Sequence, residues 1–447
     1  MTRDRLRVLS VNASALGGGA ERIALSLHEE YLARGIDSWL AVAAGAGAAG
    51  VVPISNNERR NPVARAAMAA SMRADAHGAQ RGSPSWLLTR GFRAVVEPAR
   101  SLRVFLGHED VDFPGTAALL REIVSDADVL HMHNLHGYYF DLRELPRLTA
   151  KTPTILTMHD AWLLTGHCAH PFDCPRWRIG CGSCPYPAVY PPMGRIDASA
   201  RNWRVKREIL ARSRFRLATP SRWLMGMVEE SGLLDGALEA RVVPNGVDTR
   251  IFKPGDQREA RAALGLDQDA EVLMFAANSL LDNPFKDYRT LLDALPLIAH
   301  AREGRLQLVA LGDASAVPAV PGVDILALPF EPDPARVARY YQAADVYVHP
   351  ARAENLPLAP MEAMACGTPV VASRVGGLPE IVDDGVTGTL VPVGDAEPLA
   401  AGVVALLGDE ARRNAFSEAG LARVRELFTL ERQADAYIAW YGELLDR

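Results

Sequence analysis

The sequence predicts an α/β protein made of two doubly wound, parallel-sheet domains. Short apolar runs alternate with amphipathic stretches along the chain, and such alternation is typical of parallel strands joined by helices. The runs form two successive sets, and 447 residues are enough for two or three domains. A turn-prone segment, PNGVD followed by KPGD, separates the sets. We therefore predict two Rossmann-like domains joined by a linker at residues 246–256.

Each predicted strand is a short, mainly apolar run bounded by turn formers or by a helical pattern. The strands of the first half are predicted at Leu6–Asn12, Trp39–Ala43, Val129–Met132, Thr154–Met158, Arg216–Thr219 and Arg241–Val243. Those of the second half are predicted at Val272–Ala276, Leu306–Leu311, Asp324–Ala327, Val346–His349, Pro369–Ala372 and Thr389–Val391. Helical periodicity lies between them, for example at Glu21–Arg34, Tyr288–Ala301 and the terminal Leu430–Leu445.

Composition indicates an ordinary globular protein. Hydrophobic residues make up 49% of the chain, charged residues 23%, and the net charge of −6 predicts no general attraction to nucleic acid. The longest nearly apolar run, Trp39 to Ile54, is shorter than the roughly 20 residues of a spanning helix, and we interpret it as a strand followed by a loop. The charged first ten residues do not resemble a signal peptide. These features predict a cytoplasmic protein.

Two carboxylates eight positions apart mark the most informative segment, ENLPLAPMEAMAC. Glu354 follows a predicted strand, and Glu362 lies near the start of the next predicted helix, which Gly367 should end. Open parallel sheets bind ligands at the carboxyl ends of their strands, and a helix N-terminus there favours a phosphate. Hydrogen-bonding carboxylates beside a phosphate site suit a nucleotide sugar. The alternative is a surface glutamate pair flanking an ordinary helix.

A glycine-rich turn follows the first predicted strand. Gly17, Gly18 and Gly19 precede Glu21 and Arg22 at the start of a predicted helix, where glycine permits close approach of a ligand. The third glycine of a dinucleotide fingerprint is replaced by Arg22, which disfavours a dehydrogenase. An ordinary strand-to-helix turn remains the alternative.

Two histidine clusters follow successive strands. The first, HMHNLHGYY, holds His131, His133 and His136, and the second, TMHDAW, holds His159 and Asp160. Both should lie at the ligand-binding edge of the first sheet. Metal binding by the first cluster, and with it a metal-dependent hydrolase, stays open.

Four cysteines lie within a predicted insertion at residues 162–192, with His167 and His170 beside them. They are Cys168, Cys174, Cys181 and Cys184. Clustered cysteines in a cytosolic chain favour metal over disulfides, but only the last two have the spacing of a zinc knuckle. A structural zinc site, disulfides and free thiols therefore all stay open. Cys366 is predicted to be a small buried residue.

Residues 59–107 form a basic insertion with nine arginines against Asp75 and Glu97, a net charge of +7. Trp86, Phe92 and other apolar residues are interleaved with them. Basic residues with apolar anchors can lie on an anionic membrane, which suggests a dock for a lipid-linked acceptor. A solvated insertion is the alternative.

In the second half, Lys286 lies between a strand and a helix, where a lysine can bind a diphosphate. No D-x-D motif is placed convincingly for a divalent cation. Asp126 and Asp128 have that spacing but precede a buried strand. We therefore predict that any catalysis by this protein needs no metal ion.

The run HPARAENLPLAPMEAMACGTPVVAS, followed by VGGLPEIV, resembles the nucleotide-binding signature of family 4 retaining glycosyltransferases. That family has the two-domain GT-B architecture, in which the domains face a cleft and the last helix returns to the first domain. The resemblance therefore implies domains at 1–245 and 257–427 and a returning helix at 428–447. It also implies that Glu362 holds the ribose and that Glu354 lies by the donor sugar. Asn355, Leu356 and Pro357 replace the usual Gly-Phe-Gly, so the phosphate cradle falls to the amides of Leu356 and Leu358.

The same resemblance assigns further roles. His159 matches a cleft histidine and is assigned to catalysis with Glu354 and Lys286, while His133, Asp160 and Glu21 fall on the acceptor side. The donor-binding residues are Glu362, Lys286, Leu356, Leu358, Phe330, Asn278, Gly18 and Gly19. Asn278 or Ser279 stands where a phosphate-binding arginine is usual and Asp287 replaces a glycine, so Arg289 or Arg374 would have to substitute.

The resemblance thus implies a retaining glycosyltransferase that moves a sugar from a nucleotide-diphosphate donor to a saccharide or lipid-linked acceptor. The cysteine-rich insertion resembles that of a subset of exopolysaccharide enzymes from bacteria. Such an enzyme would need no cofactor for catalysis, would not bind nucleic acid, and would contact the inner membrane face through residues 59–107. A non-catalytic nucleotide-sugar-binding or scaffold protein, and an epimerase of the same fold, are the alternatives.

Overall fold

The computed structural model describes residues 5–76, 91, 94–232, 236–277, 279–281, 283–312 and 317–445. It contains two compact units. The first consists of Met1–Thr219, Met225–Arg241 and Tyr441–Arg447, and the second of Pro220–Leu224 and Val242–Trp440. Elements are numbered below in chain order within the described residues.

The first unit is built on a seven-stranded sheet with the order β3-β2-β1-β4-β5-β6-β7. Its strands are β1 Arg7–Ser14, β2 Asp37–Ala44, β3 Val51–Pro53, β4 Val129–Met132, β5 Thr154–Thr157, β6 Phe215–Thr219 and β7 Ala237–Val242. Neighbouring strands from β3 through β6 pair in parallel. Its helices are α1 Gly19–Ala33, α2 Pro62–Ala76, α3 Pro98–Phe105, α4 Leu145–Lys151, α5 Ser199–Ala211 and α6 Arg222–Ser231, the last of which begins in the second unit.

The second unit has a six-stranded parallel sheet with the order β10-β9-β8-β11-β12-β13. Its strands are β8 Glu271–Ala276, β9 Leu306–Gly312, β10 Val323–Pro329, β11 Val346–His349, β12 Val370–Ser373 and β13 Gly388–Val391. Its helices are α7 Gln257–Leu264, α8 Tyr288–Ala301, α9 Pro334–Ala343, α10 Leu358–Ala365, α11 Leu378–Ile381, α12 Ala396–Leu407, α13 Glu410–Leu427 and α14 Leu430–Leu445, which ends in the first unit.

Local sequence explains where several helices begin. Asp256, Asp333, Asp395 and Asp409 each precede a helix and accept a hydrogen bond from a first-turn amide, the preferred arrangement at a helix N-terminus. Their carboxylates also interact favourably with the helix dipole. The buried residues of the second sheet pack against these helices in two large apolar clusters.

The predicted fold class is confirmed, because both sheets are doubly wound with the central strand order of a Rossmann fold. The bounds of β4, β11, α8 and α14 agree with the prediction. One strand was missed: Val51–Pro53 forms β3, whereas we predicted a loop. The predicted linker at 246–256 lies wholly inside the second unit, where Val247 bridges to Thr429.

The last helix carries Tyr441 into the core of the first unit. Its hydroxyl lies 2.6 Å from His131 Nδ1 and 3.1 Å from the Tyr31 hydroxyl, and all three side chains are buried. His131 also contacts Thr157 through Nε2, at 2.8 Å. Burial lowers the pKa of His131 to about 3, so its imidazole is neutral. His131 is therefore part of the hydrogen-bonded core.

The basic insertion is largely neutralised by its surroundings where it is described. Part of it, residues 77–90 and 92–93, lies outside the described residues. Ion pairs join Arg59 to Glu122, Arg60 and Arg100 to Glu97, Arg100 to Asp110, and Arg103 to Asp112. These arginines bind carboxylates of the same unit, so their charge is already matched.

No helix within the described ranges is both long and apolar enough to cross a membrane.

Candidate active site

The carboxyl edge of the second sheet brings together Lys286 and Glu354. Lys286 follows β8 and Glu354 follows β11, and these strands are neighbours, so their loops meet at one edge. Lys286 Nζ forms an ion pair with Glu354 Oε1. The same oxygen lies 3.0 Å from His349 Nε2, at the end of β11. Two predicted site residues are thus in direct contact, and a third residue, His349, joins them.

His349 has a defined hydrogen-bonding role because both of its nitrogens have partners. Its Nδ1 lies 2.9 Å from the Tyr347 hydroxyl, and both side chains are buried. Burial, followed by the charge of Lys286, lowers the pKa of His349, so the ring is neutral. An ionised carboxylate only accepts hydrogen bonds. Nε2–H therefore donates to Glu354, and Nδ1 accepts from Tyr347.

Glu354 stays ionised although it is only 8% exposed. Burial alone would raise the pKa of its carboxyl group. The charge of Lys286 and the hydrogen bond from His349 outweigh burial and lower the pKa to about 2. Glu354 is therefore a fixed carboxylate, with Oε1 held by two donors.

A glycine pair shapes the other side of the Glu354 loop. Gly376 follows β12 with φ of +57°, and a Cβ atom placed on it would lie 1.7 Å from the Glu354 carbonyl oxygen. A Cβ atom on Gly377 would lie 2.0 Å from the Asn355 carbonyl oxygen. No side chain fits at either position. The VGG stretch therefore lets two backbone segments touch beside the carboxylate.

The helix that carries Glu362 is α10. Glu362 lies in its middle, rather than near its start as predicted, is 2% exposed, and accepts a hydrogen bond of 3.1 Å from the Tyr341 hydroxyl. Pro357 precedes the helix, and no side chain caps its first turn. The Leu358 amide thus belongs to a helix N-terminus suited to an anion. Leu356 is buried, and its carbonyl accepts from Asn245 Nδ2 at 2.8 Å.

The structure gives fewer contacts for the other residues that we considered for binding the nucleotide-sugar donor. Asn278 lies outside the described residues. Phe330 follows β10 and is 51% exposed. Arg374 pairs with Asp384, and Arg289 is exposed. Arg352, which sequence reasoning missed, lies 3.0 Å from Asp287 Oδ2.

In the first unit, the glycine turn takes the predicted form. Gly17 has φ of +127°, Gly18 precedes α1, and Gly19 begins it without a side-chain cap. Glu21 folds back, since a Cβ atom on Gly18 would lie 3.0 Å from its Oε2. Burial raises the pKa of Glu21.

The histidine clusters meet at the carboxyl edge of the first sheet. His133 Nδ1 lies 3.0 Å from His159 Nε2, with the rings stacked, and His136 Nε2 lies 2.6 Å from Asp160 Oδ2. Burial lowers the pKa of His159 to about 4 and that of His133 well below its ordinary value. These neutral rings can exchange hydrogen bonds with each other and with a ligand.

The His159→Ala variant is expected to bind nucleotide diphosphates as the parent does and to lose roughly 100-fold in turnover. The reason is that His159 lies in the first unit, whereas Glu362 and Lys286 lie in the second. Isothermal titration and steady-state kinetics on one preparation measure both effects. A weaker nucleotide affinity would contradict the assignment.

The four cysteines of the insertion line one small cavity of about 20 Å³, and none of them forms a disulfide. Burial raises the pKa of Cys168 to about 12 and of Cys181 to about 11. His167 Nε2 lies 3.1 Å from Cys184 Sγ. Within the described ranges, no group of three or more His, Cys, Asp or Glu side chains is arranged to hold a metal. A structural zinc stays a prediction that metal analysis of the purified protein can test.

Comparison with known proteins agrees with this geometry. A family model described as glycosyl transferases group 1 matches residues 270–409. A D-inositol 3-phosphate glycosyltransferase of Segniliparus rotundus is 38% identical over 216 residues, 46% of this chain and 47% of that protein. One from Geodermatophilus obscurus is 40% identical over 215 residues, 45% of this chain and 46% of that protein. The chain thus spans about half the length of the curated relatives it matches.

Solved structures match nearly the whole chain. Sucrose-phosphate synthase from Thermosynechococcus elongatus has a TM-score of 0.63 at 19% identity, covering 99% of this chain and 100% of that one. Anabaena HepE in complex with UDP-glucose has a TM-score of 0.63 at 17% identity, with coverage of 99% and 100%.

Fold and sheet topology place the chain in the GT-B class of two-domain α/β folds. Residues 270–409, which carry Lys286, Glu354 and Glu362, are the part of the chain that matches the model of group 1 glycosyl transferases.

Proposed function

We propose that this protein is a retaining glycosyltransferase that uses a nucleotide-diphosphate sugar as donor. The proposal rests on two findings that concern the same segment of the chain. The segment matching the group 1 family is the segment in which a lysine, a buried carboxylate and an uncapped helix N-terminus meet at the edge of a parallel sheet. That combination suits a diphosphate joined to a hydroxyl-bearing ring.

The chemistry follows from the charges. As the bond between the sugar and the diphosphate breaks, negative charge grows on the leaving phosphate, and Lys286 with the first-turn amides of α10 would stabilise it. Glu354, with Oε1 held by Lys286 and His349, presents its other oxygen to a sugar hydroxyl. The acceptor oxygen bonds to the anomeric carbon on the leaving-group face, and its proton passes to the departing phosphate.

We propose a saccharide or lipid-linked saccharide as acceptor, in the synthesis of a surface polysaccharide or glycoconjugate. The resemblance of the cysteine-rich insertion to that of exopolysaccharide enzymes supports this choice of acceptor. The relatives named for inositol 3-phosphate match over less than half of this chain, so their acceptor does not carry over. Contact with a membrane would depend on the other residues of the insertion, because four of its described arginines already pair with carboxylates.

A donor panel with and without chelator tests the proposed activity. Transfer, or slow hydrolysis of one nucleotide sugar, is expected and should survive chelation, because Lys286 supplies the positive charge. Donor binding without any turnover would support a scaffold protein. Conversion of the donor to its epimer would support an epimerase, and metal-dependent turnover without a nucleotide would support a hydrolase.

The Glu362→Ala variant is expected to bind nucleotide diphosphates roughly tenfold more weakly or worse, the loss that one hydrogen bond to a charged group of about 1.5–3 kcal/mol implies. Thermal shift with UDP, GDP and ADP measures the change. The control is Glu397→Ala, which removes an exposed carboxylate. Glu380→Ala would not serve, because the Glu380 carboxylate accepts hydrogen bonds from the Arg222 and Trp223 amides. Equal affinity in Glu362→Ala and the parent would refute the assignment.

A further inference from the structure

The first unit contains a separate cavity of about 80 Å³ at the carboxyl ends of β4 and β5. Its walls come from the loops after these strands, from the segment after α3 and from residues 191–194. A water molecule needs roughly 10–15 Å³ by this measure, so the cavity holds several waters or part of a larger polar molecule. Its position is the one at which parallel sheets bind ligands.

The polar groups of this cavity are held in fixed orientations. Glu109 Oε1 accepts hydrogen bonds from Trp162 Nε1 at 2.8 Å and from the buried Lys206 Nζ at 3.0 Å. The Glu109 amide donates to Asn202 Oδ1 at 3.3 Å, which ties the loop to α5. Glu109 therefore presents an ordered carboxylate whose second oxygen bonds to no group in the described part of the chain.

His136 supplies an unused hydrogen-bonding atom in the cavity wall. Its side chain is 9% exposed, and Nε2 contacts Asp160 at 2.6 Å. Nδ1 is buried and has no hydrogen-bond partner among the described residues. Leaving such an atom unpaired costs free energy, which a hydrogen bond to a ligand hydroxyl would recover. His108, also in the wall, has an unpartnered Nδ1 as well.

The charges of the wall decide what kind of ligand fits. None of the described lining residues is lysine or arginine. Its carboxylates already have cationic partners outside the wall, since Glu109 pairs with Lys206 and Asp110 with Arg100. Burial lowers the pKa of His108 and of His167, so these rings are neutral. Among the described lining residues, a phosphate group would meet two carboxylates and no lysine or arginine, whereas hydroxyl groups would find acceptors.

Aromatic rings complete the site. Tyr138 lines the cavity and is 53% exposed, whereas Trp162, also in the wall, is buried, with Lys206 Nζ 4.0 Å from the centre of its ring. Sugar rings present apolar C–H faces that pack on aromatic surfaces while their hydroxyls bond to carboxylates and imidazoles.

We propose that this cavity binds an uncharged sugar ring of the acceptor and discriminates against an acceptor ring that carries a phosphate. This inference rests on the proposed transferase function and narrows its acceptor. It also separates this chain from its named relatives, whose acceptor is a phosphorylated cyclitol by their printed description.

The test uses the full-length protein and ligand-observed NMR with titration. The probes are the methyl glycosides of glucose, galactose and mannose, together with inositol and D-inositol 3-phosphate. At least one glycoside is expected to bind, and D-inositol 3-phosphate is expected to bind at least roughly tenfold more weakly than the best glycoside, a factor worth about 1.4 kcal/mol. Failure of every glycoside to bind, or tighter binding of the phosphorylated ring, would overturn the proposal.

Three variants locate the site. Tyr138→Ala should weaken glycoside binding several-fold, whereas Ile179→Ala, an 87% exposed residue of the same unit outside the cavity wall, should not. Val104→Lys, at a half-exposed lining position, should narrow or reverse the preference against the phosphorylated ring. Unchanged glycoside binding in Tyr138→Ala would place the ligand elsewhere. Nucleotide binding by thermal shift is measured in parallel, so failure of the donor site is recognised separately.

Discussion

The Lys286→Ala variant is expected to lose roughly 100- to 1000-fold in turnover, the range seen when one preorganised group that stabilises developing charge is removed. Two effects contribute. In the proposed mechanism the leaving diphosphate loses the positive charge of Lys286, and the buried Glu354 carboxylate loses the cation beside Oε1. A neutral hydrogen bond from His349 remains.

The same variant should also change the pH dependence of the reaction. In the parent, Lys286 and His349 lower the pKa of Glu354 to about 2 against the effect of burial, so the carboxylate stays ionised throughout the ordinary assay range. Without Lys286, burial is opposed only by the hydrogen bond, and the pKa must rise. The acidic limb of the turnover profile should therefore move to higher pH. Steady-state rates between pH 4 and 9 measure this shift.

Lys253→Ala provides the control, because Lys253 is an exposed lysine of the same unit. It should retain the parent rate and pH profile. If Lys286→Ala lost turnover with an unchanged acidic limb, Lys286 would act on the diphosphate alone. Parent-like turnover in Lys286→Ala would exclude both roles.

The Gly376→Ala variant is expected to be destabilised by about 2–5 kcal/mol and to lose most of its activity. A methyl group at this position would overlap the Glu354 carbonyl oxygen, 1.7 Å from the new Cβ atom, and φ is +57°. Because backbone atoms cannot move aside as a flexible side chain can, the loop that carries Glu354 must shift. The midpoint of thermal denaturation and the turnover number measure the two consequences.

The Gly385→Ala variant separates the effect of steric overlap from the effect of backbone strain. Gly385 has φ of +77°, and a Cβ atom there meets nothing within 4 Å. This variant should lose only the cost of a left-handed alanine, about 1–2 kcal/mol. Equal destabilisation in both variants would show that the approach of Gly376 to Glu354 is not a constraint in solution.

His349 marks the limit of prediction at the site. The sequence places it at the end of β11, five positions before Glu354, and that place at a strand's carboxyl end was a usable signal. The sequence does not show that both ring nitrogens of His349 form hydrogen bonds, because these contacts depend on the backbone path of the loop between His349 and Glu354. Its tautomer and its effect on Glu354 follow only from the contacts with Tyr347 and Glu354.

The sequence by itself determined the two sheets, the bounds of β4, β11, α8 and α14, and the residue types at each strand end, because apolar periodicity and turn chemistry are local. Only the tertiary structure decided which strand ends meet. Lys286 and Glu354 are 68 positions apart, and Lys206 and Glu109 are 97 apart. Such pairs depend on strand order and on the packing of loops at a sheet edge, and local sequence pattern carries no record of either.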